Sequence, residues 1–405
     1  MSGDGWTAGE GRVGEEQWLQ EERFRELREE LLGLFRQGVE FSLPEEELNR
    51  LALRVFSFQY RANPPYRAFA DRRGRGPDRV DRWQEIPALP TRAFKAAPLV
   101  AGPPGDVEAV FRTSGTTLGR QGRGEHHVRS LDLYRASLTP NFRAHLLPEG
   151  EPLPVLALLP SPEDAPDSSL SFMVGEAAGW WKGEGDVFFV DPDRGIREGA
   201  FLTALREAER HGRPVLLAGT AFALAQWLDV AKGETWRVTL PEGSRIMETG
   251  GYKGRARALS REDLYRGLQE AFGVPPGRVV NEYGMTELLS QFYETVLAEA
   301  APLEDPGASG SSGAVDPGAG PRFHRGPPWV RTLALHPMTL HPVPLGEVGI
   351  LSHLDLANLG SVVRILTEDL GILVPGGFVL VGRNAGAEPR GCSLAMEDFM
   401  TGLGG

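Results

Sequence analysis

The chain has 405 residues, enough for one large domain or two to three ordinary ones. Its 41% hydrophobic and 24% charged residues are normal for a globular protein, and its net charge of −12 argues against a nucleic-acid binder, which usually carries a basic surface. The single cysteine, Cys392, allows no intrachain disulfide, and the sequence predicts neither a membrane span nor a secretory signal. We therefore expect a cytoplasmic enzyme without nucleic-acid partners.

The first quarter of the chain is predicted to be mainly helical. Residues 1–15 are rich in Gly and Glu and have little to bury, which predicts disorder. Apolar residues recur at steps of three and four between residues 16 and 62, which predicts two helices, and Ser42 with Glu45 predicts a capping box at the start of the second. We assign 16–105 to a helical N-terminal region packed on the core.

The middle of the chain alternates between strands and helices. A short apolar run bounded by prolines at 154–160 predicts a buried strand. Further strands are predicted at 213–218, 244–248 and 277–281, with helical patterns between them. This alternation predicts a parallel sheet in an α/β fold, in which ligands collect outside the carboxyl ends of the strands. We assign residues 106–302 to this α/β core.

The composition changes after the core. Residues 303–321 are dominated by Gly, Ala, Ser and Pro, which predicts a flexible insertion. Over 322–405, short strand patterns separated by Gly and Pro predict a smaller β subdomain followed by a tail. Five glycines after residue 385 predict that this tail is mobile.

A loop at residues 111–119 is the first candidate binding site. In it, Ser114, Thr116 and Thr117 surround Gly115. Successive backbone N–H groups in such a loop can form an anion-binding nest and the hydroxyls add donors, so phosphate is the expected ligand. It is not a Walker A loop, because no Gly-Lys-Ser/Thr follows. Taken alone, an ordinary surface turn is the simpler interpretation.

Two further stretches follow predicted strands. The glycine pair Gly250 and Gly251 exposes backbone that can lie against a flat ring, although a tight turn explains it equally well. In Tyr283-Gly-Met-Thr-Glu287, the tyrosine ring can stack on an aromatic ligand, Thr286 can bond a phosphate, and the carboxylate of Glu287 suits Mg²⁺. The alternative is a helix start with Thr and Glu in the first turn.

The last stretch lies in the β-rich region. Asp369 in Leu366-Thr-Glu-Asp-Leu-Gly371 offers a carboxylate for a ribose diol, and Arg383 can reach a ribose or a phosphate. Two β-turns with solvated charges are the alternative interpretation.

In this order the stretches resemble the adenylate-forming superfamily, which includes acyl-CoA ligases and luciferases; Tyr283-Gly-Met-Thr-Glu287 is the most specific match. The resemblance implies an α/β fold like the N-terminal domain of those enzymes, with parallel sheet layers, helices and a small β subdomain near the C-terminus. It also implies ATP and Mg²⁺ as cofactors. The residues implied are Ser114, Gly115, Thr116 and Thr117 for the phosphates, Gly250, Gly251 and Tyr283 for adenine, with Gly284 beside them in the nucleotide site, and Asp369 and Arg383 for the ribose. Thr286 and Glu287 are implied as catalytic, with Thr286 on a phosphate and Glu287 on the metal.

A narrower resemblance covers roughly residues 50–400. Trp83-Gln-Glu-Ile-Pro-Ala-Leu-Pro-Thr-Arg-Ala-Phe-Lys95, Thr249-Gly-Gly-Tyr-Lys253 and Glu388-Pro-Arg-Gly-Cys-Ser393 look like the LuxE-type acyl-protein synthetases of bacterial bioluminescence clusters. This resemblance implies that a fatty acid is activated with ATP and that Cys392 then carries the acyl group to a partner acyl reductase or acyl carrier. The chain length of the acid and the pathway stay open.

The sequence departs from the superfamily pattern in three places. The first loop lacks the usual lysine, so Arg120 or Arg123 would have to replace it, and Glu368 stands where Thr-Gly-Asp has glycine. Only 22 residues follow Arg383, so we expect the mobile C-terminal domain of acyl-CoA ligases to be absent or vestigial. Two alternatives therefore remain: a ligase that passes the acyl group to CoA, a carrier protein or an amine, and a nucleotide-binding protein with a degenerate site.

Overall fold

Helices cover both faces of a central sheet. The computed structural model describes residues 8–114, 122–233, 237–250, 259–298, 322–383 and 390–403. Nine α-helices lie within these ranges: α1 (Ala8–Phe35), α2 (Glu45–Ala62), α3 (Pro64–Arg72), α4 (Leu131–Leu146), α5 (Ser169–Ala178), α6 (Glu198–His211), α7 (Ala221–Gly233), α8 (Arg261–Phe272) and α9 (Arg390–Leu403). None of these described helices is long and apolar enough to cross a membrane.

The described strands form one large sheet and two short hairpins. They are β1 (Leu89–Pro90), β2 (Ala109–Arg112), β3 (Glu125–Val128), β4 (Val155–Leu158), β5 (Val190–Asp191), β6 (Gly195–Ile196), β7 (Leu216–Thr220), β8 (Arg245–Thr249), β9 (Val279–Tyr283), β10 (Phe292–Glu294), β11 (His324–Arg325), β12 (Val330–Leu335), β13 (Val348–Asp355), β14 (Arg364–Val374) and β15 (Gly377–Arg383). The large sheet has the order β12-β13-β14-β15-β11-β10-β9-β8-β7-β4, with β1 paired to β14. The hairpins are β2–β3 and β5–β6.

One half of the sheet is parallel and covered on both faces. Strands β4, β7, β8 and β9 run parallel, as the alternation of strands and helices predicted. In β4, Val155 and Ala157 pack toward α4 and α5, whereas Leu156 and Leu158 pack toward α6, α7 and α8. A strand buried on both faces needs an unbroken apolar run, and that is the pattern the sequence shows at 154–160.

The other half of the sheet is antiparallel and continuous with the first. Strand β10 pairs with β9 on one side and β11 on the other, and β11 pairs with β15. The β-rich region after residue 322 therefore extends the sheet of the core. This topology brings the carboxyl end of β9 toward β14 and β15, where three of the sequence motifs meet.

Three local predictions differ from the structure. Helix α1 begins at Ala8, within the segment predicted to be disordered, and continues into the helix-forming run of Glu, Gln, Leu and Arg that follows residue 15. Residues 1–7 lie outside the described residues. The capping box is wrong: Pro44 occupies the N-cap of α2, and Glu45 bonds the indole of Trp83 and the guanidinium of Arg331 instead. The tail forms a helix, α9, over 390–403, where a flexible segment was predicted.

Candidate functional site

Tyr283, the last residue of β9, lies at the centre of an aromatic cluster. The centroid of its ring lies 5.5–5.8 Å from the ring centroids of Phe292, His353 and Phe378. Its hydroxyl donates to Oδ2 of Asp369 at 3.0 Å. Burial raises the pKa of Tyr283 well above its ordinary value, and the neighbouring carboxylate raises it further. The phenol therefore stays a hydrogen-bond donor, and its ring is fixed before any ligand binds.

Asp369 and Arg383 stand opposite each other on β14 and β15. Nε of Arg383 lies 3.6 Å from Oδ1 of Asp369, and Nη2 of Arg383 lies 3.3 Å from Oε2 of Glu368. The amide of Asp369 donates to Oγ1 of Thr367 at 3.1 Å. The structure thus brings together Asp369 and Arg383, the two residues predicted to hold a ribose. Tyr283, predicted to bind adenine, donates its hydroxyl to the same Asp369 carboxylate.

Glu287 lies in the turn between β9 and β10 and is buried. Burial raises its pKa from an ordinary value of 4.5 to about 7; its own backbone amide and the positive charges of Arg383 and Lys95 oppose this, whereas Asp369 adds to it. Charges from three separate segments thus converge on this carboxyl. A Cβ on Gly284, three residues before Glu287, would lie 2.2 Å from Oε1 of Glu282, so a side chain there would require the Glu282 carboxyl to move.

Side chains from distant elements hold this turn in place. Nδ1 of His126 on β3 lies 2.7 Å from the carbonyl oxygen of Thr286, and Nδ2 of Asn358 donates to the carbonyl oxygen of Glu287 at 2.8 Å. Burial lowers the pKa of His126 to about 4, so its ring is neutral at pH 7 and carries its proton on Nδ1, facing the carbonyl. Oδ2 of Asp355 accepts from the amides of Leu289 and Ser290. Sequence reasoning missed all three holding side chains.

The predicted phosphate loop begins and ends on the β2–β3 hairpin. Ser114 is exposed at the end of β2, whereas Gly115, Thr116, Thr117 and Arg120 lie outside the described residues. Gly124 donates its amide to Oγ1 of Thr113 at 2.9 Å and so closes the base of the loop. Because His126 belongs to the same hairpin, one short element connects the loop to the turn of Thr286 and Glu287.

Buried carboxyl groups line the ends of β8 and β9. Glu248 accepts from the hydroxyl of Tyr265 at 3.0 Å and from the side-chain amide of Asn281 at 2.7 Å, and Glu282 accepts from the hydroxyl of Thr249. Burial raises the pKa of each carboxyl to about 7. Gly250, the residue after the end of β8, has a φ of +83°, a conformation that favours glycine. Gly251 lies outside the described residues.

Cys392 lies on α9, buried against β14. It is 3% exposed, and its thiol donates to the carbonyl oxygen of Thr367 at 3.9 Å. It packs with Leu366 and Leu370, and because side chains alternate along a strand, this is the face of β14 opposite Asp369. The thiol is therefore two residues along the strand from the predicted ribose carboxylate, but on the other side of the sheet.

The residues present fit a metal that is shared with phosphate. Mg²⁺ is usually held by one or two carboxylates together with substrate phosphates and water. No group of three or more His, Cys, Asp or Glu side chains in the described ranges could hold a metal ion by itself. Glu287 has a buried carboxyl whose charged form a cation would stabilise. The site thus suits one carboxylate ligand and excludes an all-protein metal cage over the described residues.

Comparison with known proteins decides the family. The family model described as acyl-protein synthetase, LuxE, matches residues 36–301. The chain belongs to this family. Long-chain-fatty-acid–luciferin-component ligases from Vibrio harveyi and Aliivibrio fischeri are 23% and 24% identical over 377 and 374 residues. Each alignment covers 89% of this chain, and 91% and 90% of the respective relative.

Solved structures of similar fold are adenylate-forming ligases. An open conformation of 2-hydroxyisobutyryl-CoA ligase matches with a TM-score of 0.56 and 14% identity, covering 84% of this chain and 76% of that enzyme. Its postadenylation state gives the same TM-score and covers 86% and 70% of the two chains. The LuxE family, the acyl-protein ligase class and the α/β fold expected from the sequence are confirmed; the roles of the individual site residues stay predictions.

Proposed function

We propose that this LuxE-family protein uses ATP to convert a fatty acid into an acyl-adenylate and then carries the acyl group on Cys392 to a partner reductase or acyl carrier. The observation that carries the proposal is the cluster of Tyr283, Asp369 and Arg383 beside the buried Glu287. Four residues predicted to bind one nucleotide come from three strands and a turn, and they meet at one place. The names of the two bacterial relatives support a long-chain acid as substrate.

In the first half-reaction, a carboxylate oxygen of the acid attacks the α-phosphorus of ATP. A P–O bond forms, the bond from the α-phosphorus to the bridging oxygen breaks, and pyrophosphate leaves. Asp369 would accept from the ribose hydroxyls beside Arg383, and Glu287 would hold Mg²⁺. A bound metal would neutralise phosphate charge and orient the leaving group. The protein supplies chiefly positioning and charge neutralisation.

In the second half-reaction, the thiolate of Cys392 attacks the acyl carbon. A C–S bond forms, the bond from the acyl carbon to the phosphate oxygen breaks, AMP leaves, and the thiol proton goes to solvent or a nearby base. The thiol is buried behind β14, so α9 has to move before this step. We propose that the acyl group is transferred after such an opening.

The first half-reaction is tested by fatty-acid-dependent exchange between ATP and labelled pyrophosphate. Glu287→Gln keeps the shape of the side chain and removes its charge, and we expect exchange to fall at least 100-fold without loss of folding. Glu151→Gln, an exposed carboxylate on the surface, is the matched control and should exchange like the wild type. Wild-type exchange in Glu287→Gln removes Glu287 from the site, and no wild-type exchange with acids from short to long chain refutes adenylation.

A second candidate differs only in the acyl acceptor. Burial of Cys392 on the face opposite Asp369 favours a ligase that passes the acyl group directly to CoA, a carrier protein or an amine. Labelled fatty acid with ATP separates the two. If Cys392 carries the acyl group, hydroxylamine-sensitive label stays on the protein and vanishes in Cys392→Ala, while pyrophosphate exchange persists. Exchange without any protein-bound label favours the second candidate.

A further inference from the structure

The phosphate loop needs a cation, and Arg123 does not supply it. All three guanidinium nitrogens of Arg123 are engaged within the protein: Nε donates to the carbonyl of Thr113 at 2.5 Å, Nη2 to the carbonyl of Arg112 at 3.1 Å, and Nη1 to Asp167 at 2.8 Å. These bonds pin the two ends of the loop to each other and to the segment before α5. Two of the five guanidinium N–H groups lie outside these bonds, but the three bonds hold the guanidinium at the loop base, so we assign Arg123 a structural role.

A different cation lies at the base of the same loop. Lys95 ends the 3₁₀ turn Thr91–Lys95, whose Ala93 and Phe94 are buried as anchors. A Cβ on Gly124 would lie 3.3 Å from Cγ of Lys95, so the aliphatic stem of Lys95 runs directly along the loop base. A Cβ on Gly124 would press on this stem and on Thr113, also at 3.3 Å, so glycine suits the position.

The ammonium of Lys95 is available to a ligand. Lys95 is exposed, and no carboxylate of the described residues forms an ion pair with it, whereas Arg92 on the same turn bonds Glu368 at 2.7 Å. The ring of Phe94 packs edge-on against His126 at 5.6 Å, which fixes the turn relative to the hairpin and to the carbonyl of Thr286. The charge of Lys95 also acts on the carboxyl of Glu287 and lowers its pKa against the effect of burial.

We propose that Lys95 is the cationic residue of the adenylation site and that its ammonium binds the phosphates of ATP between the loop base and Glu287. This inference rests on the proposed adenylation and adds to it a residue outside the nucleotide-binding loops. Lys95 forms and breaks no covalent bond; it neutralises charge on the phosphates as the α-phosphorus is attacked. A compact ammonium on a flexible stem suits this role, because it can follow the phosphate as the geometry changes.

The test is pyrophosphate exchange and ATP binding in Lys95→Met and Lys95→Arg. Methionine keeps the apolar stem and removes the charge, so we expect exchange at saturating ATP to fall about 100-fold. Arginine restores the charge and should recover at least tenfold of that loss. Because Lys95 is exposed, the melting temperature should stay unchanged in both. Lys182→Met, an exposed lysine that bonds only the carbonyl of Gly179 among the described contacts, is the matched control and should match the wild type.

The outcomes separate this inference from the proposed function. Wild-type exchange in Lys95→Met overturns the role of Lys95 and leaves adenylation standing. Equal losses in Lys95→Met and Lys95→Arg, together with a lowered melting temperature, show a structural role and also overturn it. Calorimetric titration with ATP gives a readout independent of turnover: Lys95→Met should bind ATP at least tenfold more weakly. A wild type without exchange overturns adenylation itself, and the inference with it.

Discussion

Glu282 has a carboxyl group that the fold buries with one donor, and replacing it with glutamine should stabilise the protein above neutral pH. The side chain is 5% exposed and accepts from the hydroxyl of Thr249, while the nearby Glu248 repels its charge. Burial, the largest effect, raises its pKa from an ordinary 4.5 to about 7. Glutamine keeps the shape and the acceptor oxygen for Thr249 but never ionises.

The sign and size follow from proton linkage. The folded protein holds the proton of Glu282 more tightly than the unfolded chain does. The stability that this proton binding adds to the folded state is fully present below pH 4.5 and is lost as pH rises to about 7. At about 1.4 kcal/mol for each tenfold change in proton affinity, the difference is worth about 3 kcal/mol. For a chain of 405 residues that corresponds to roughly 4 °C in melting temperature, from about 2.1 cal/mol/K of unfolding entropy per residue.

The assay is the melting temperature of wild type and Glu282→Gln from pH 4.5 to 8.5, at constant ionic strength. We expect the two curves to coincide near pH 4.5, to separate through pH 7, and to run parallel above it with the variant higher. Glu151→Gln, at an exposed position, should show no such separation. A gain of the same size at every pH would mean that the fold does not change the proton affinity of Glu282, and a loss that grows with pH would mean that the fold stabilises its charged form. Either result would refute the reasoning.

Two further predictions concern residues that hold the site. His126→Asn keeps an N–H donor near the position of Nδ1, whereas His126→Gln moves the donor to the position of Nε2. We expect the KM for ATP in the exchange assay to rise about tenfold in the Gln variant and to stay within about twofold in the Asn variant. Equal KM values in the two variants would contradict the role of the Thr286 contact. Asp369→Asn removes the carboxylate charge that faces Arg383 and Tyr283. We expect the KM for ATP to rise tenfold or more, with little change in melting temperature. An unchanged KM would remove Asp369 from the nucleotide site.

Local patterns predicted the parallel half of the sheet well. Each predicted strand at 154–160, 213–218, 244–248 and 277–281 overlaps an observed one, because each is short, has an apolar centre and alternates with longer helical patterns. The turn after β9 was found for a different reason: Tyr283, Thr286 and Glu287 form a contiguous motif. Neither inference needed knowledge of distant contacts.

Contacts between distant residues could not be predicted in this way. His126 and Thr286 are 160 positions apart, and Asn358 lies 71 positions from Glu287, so no local spacing indicates that either side chain bonds that turn. Burial of Glu282 was equally hidden, since charged residues are normally exposed and only the tertiary fold covers this one.

Burial of Cys392, by contrast, was within reach of the sequence. The glycines after residue 385 led to the prediction of a mobile tail. However, Cys392, Ala395 and Phe399 recur at steps of three and four and form the buried stripe of α9. Gly391 and Gly402 are not flexible joints here: a Cβ on either would lie 2.8 or 3.2 Å from a neighbouring segment, so both glycines permit close packing. Glycine content was thus misread as mobility where it reflects contact.

This packing makes access to Cys392 a measurable property of α9. Phe399 is fully buried and packs edge-on against Phe69 of α3 at 6.3 Å, and Asp398 pairs with Arg73 at 3.1 Å. Phe399→Ala should cost about 3–5 kcal/mol of core packing. If that loss falls on the docking of α9, local opening becomes about 100- to 4000-fold more frequent, because each 1.4 kcal/mol is a factor of ten.

The rate at which iodoacetamide alkylates the thiol in native buffer measures this opening. We expect Cys392 to react slowly in the wild type, 100-fold or more faster in Phe399→Ala, and at the wild-type rate in Met400→Ala, which changes an exposed residue of the same helix. If acyl transfer needs the same opening, thioester formation from a preformed acyl-adenylate should accelerate with alkylation in Phe399→Ala, until the chemical step limits it. A wild-type thiol that reacts as fast as in the unfolded chain would show that α9 does not shield Cys392. Faster alkylation without faster thioester formation would show that acyl transfer does not pass through this opening.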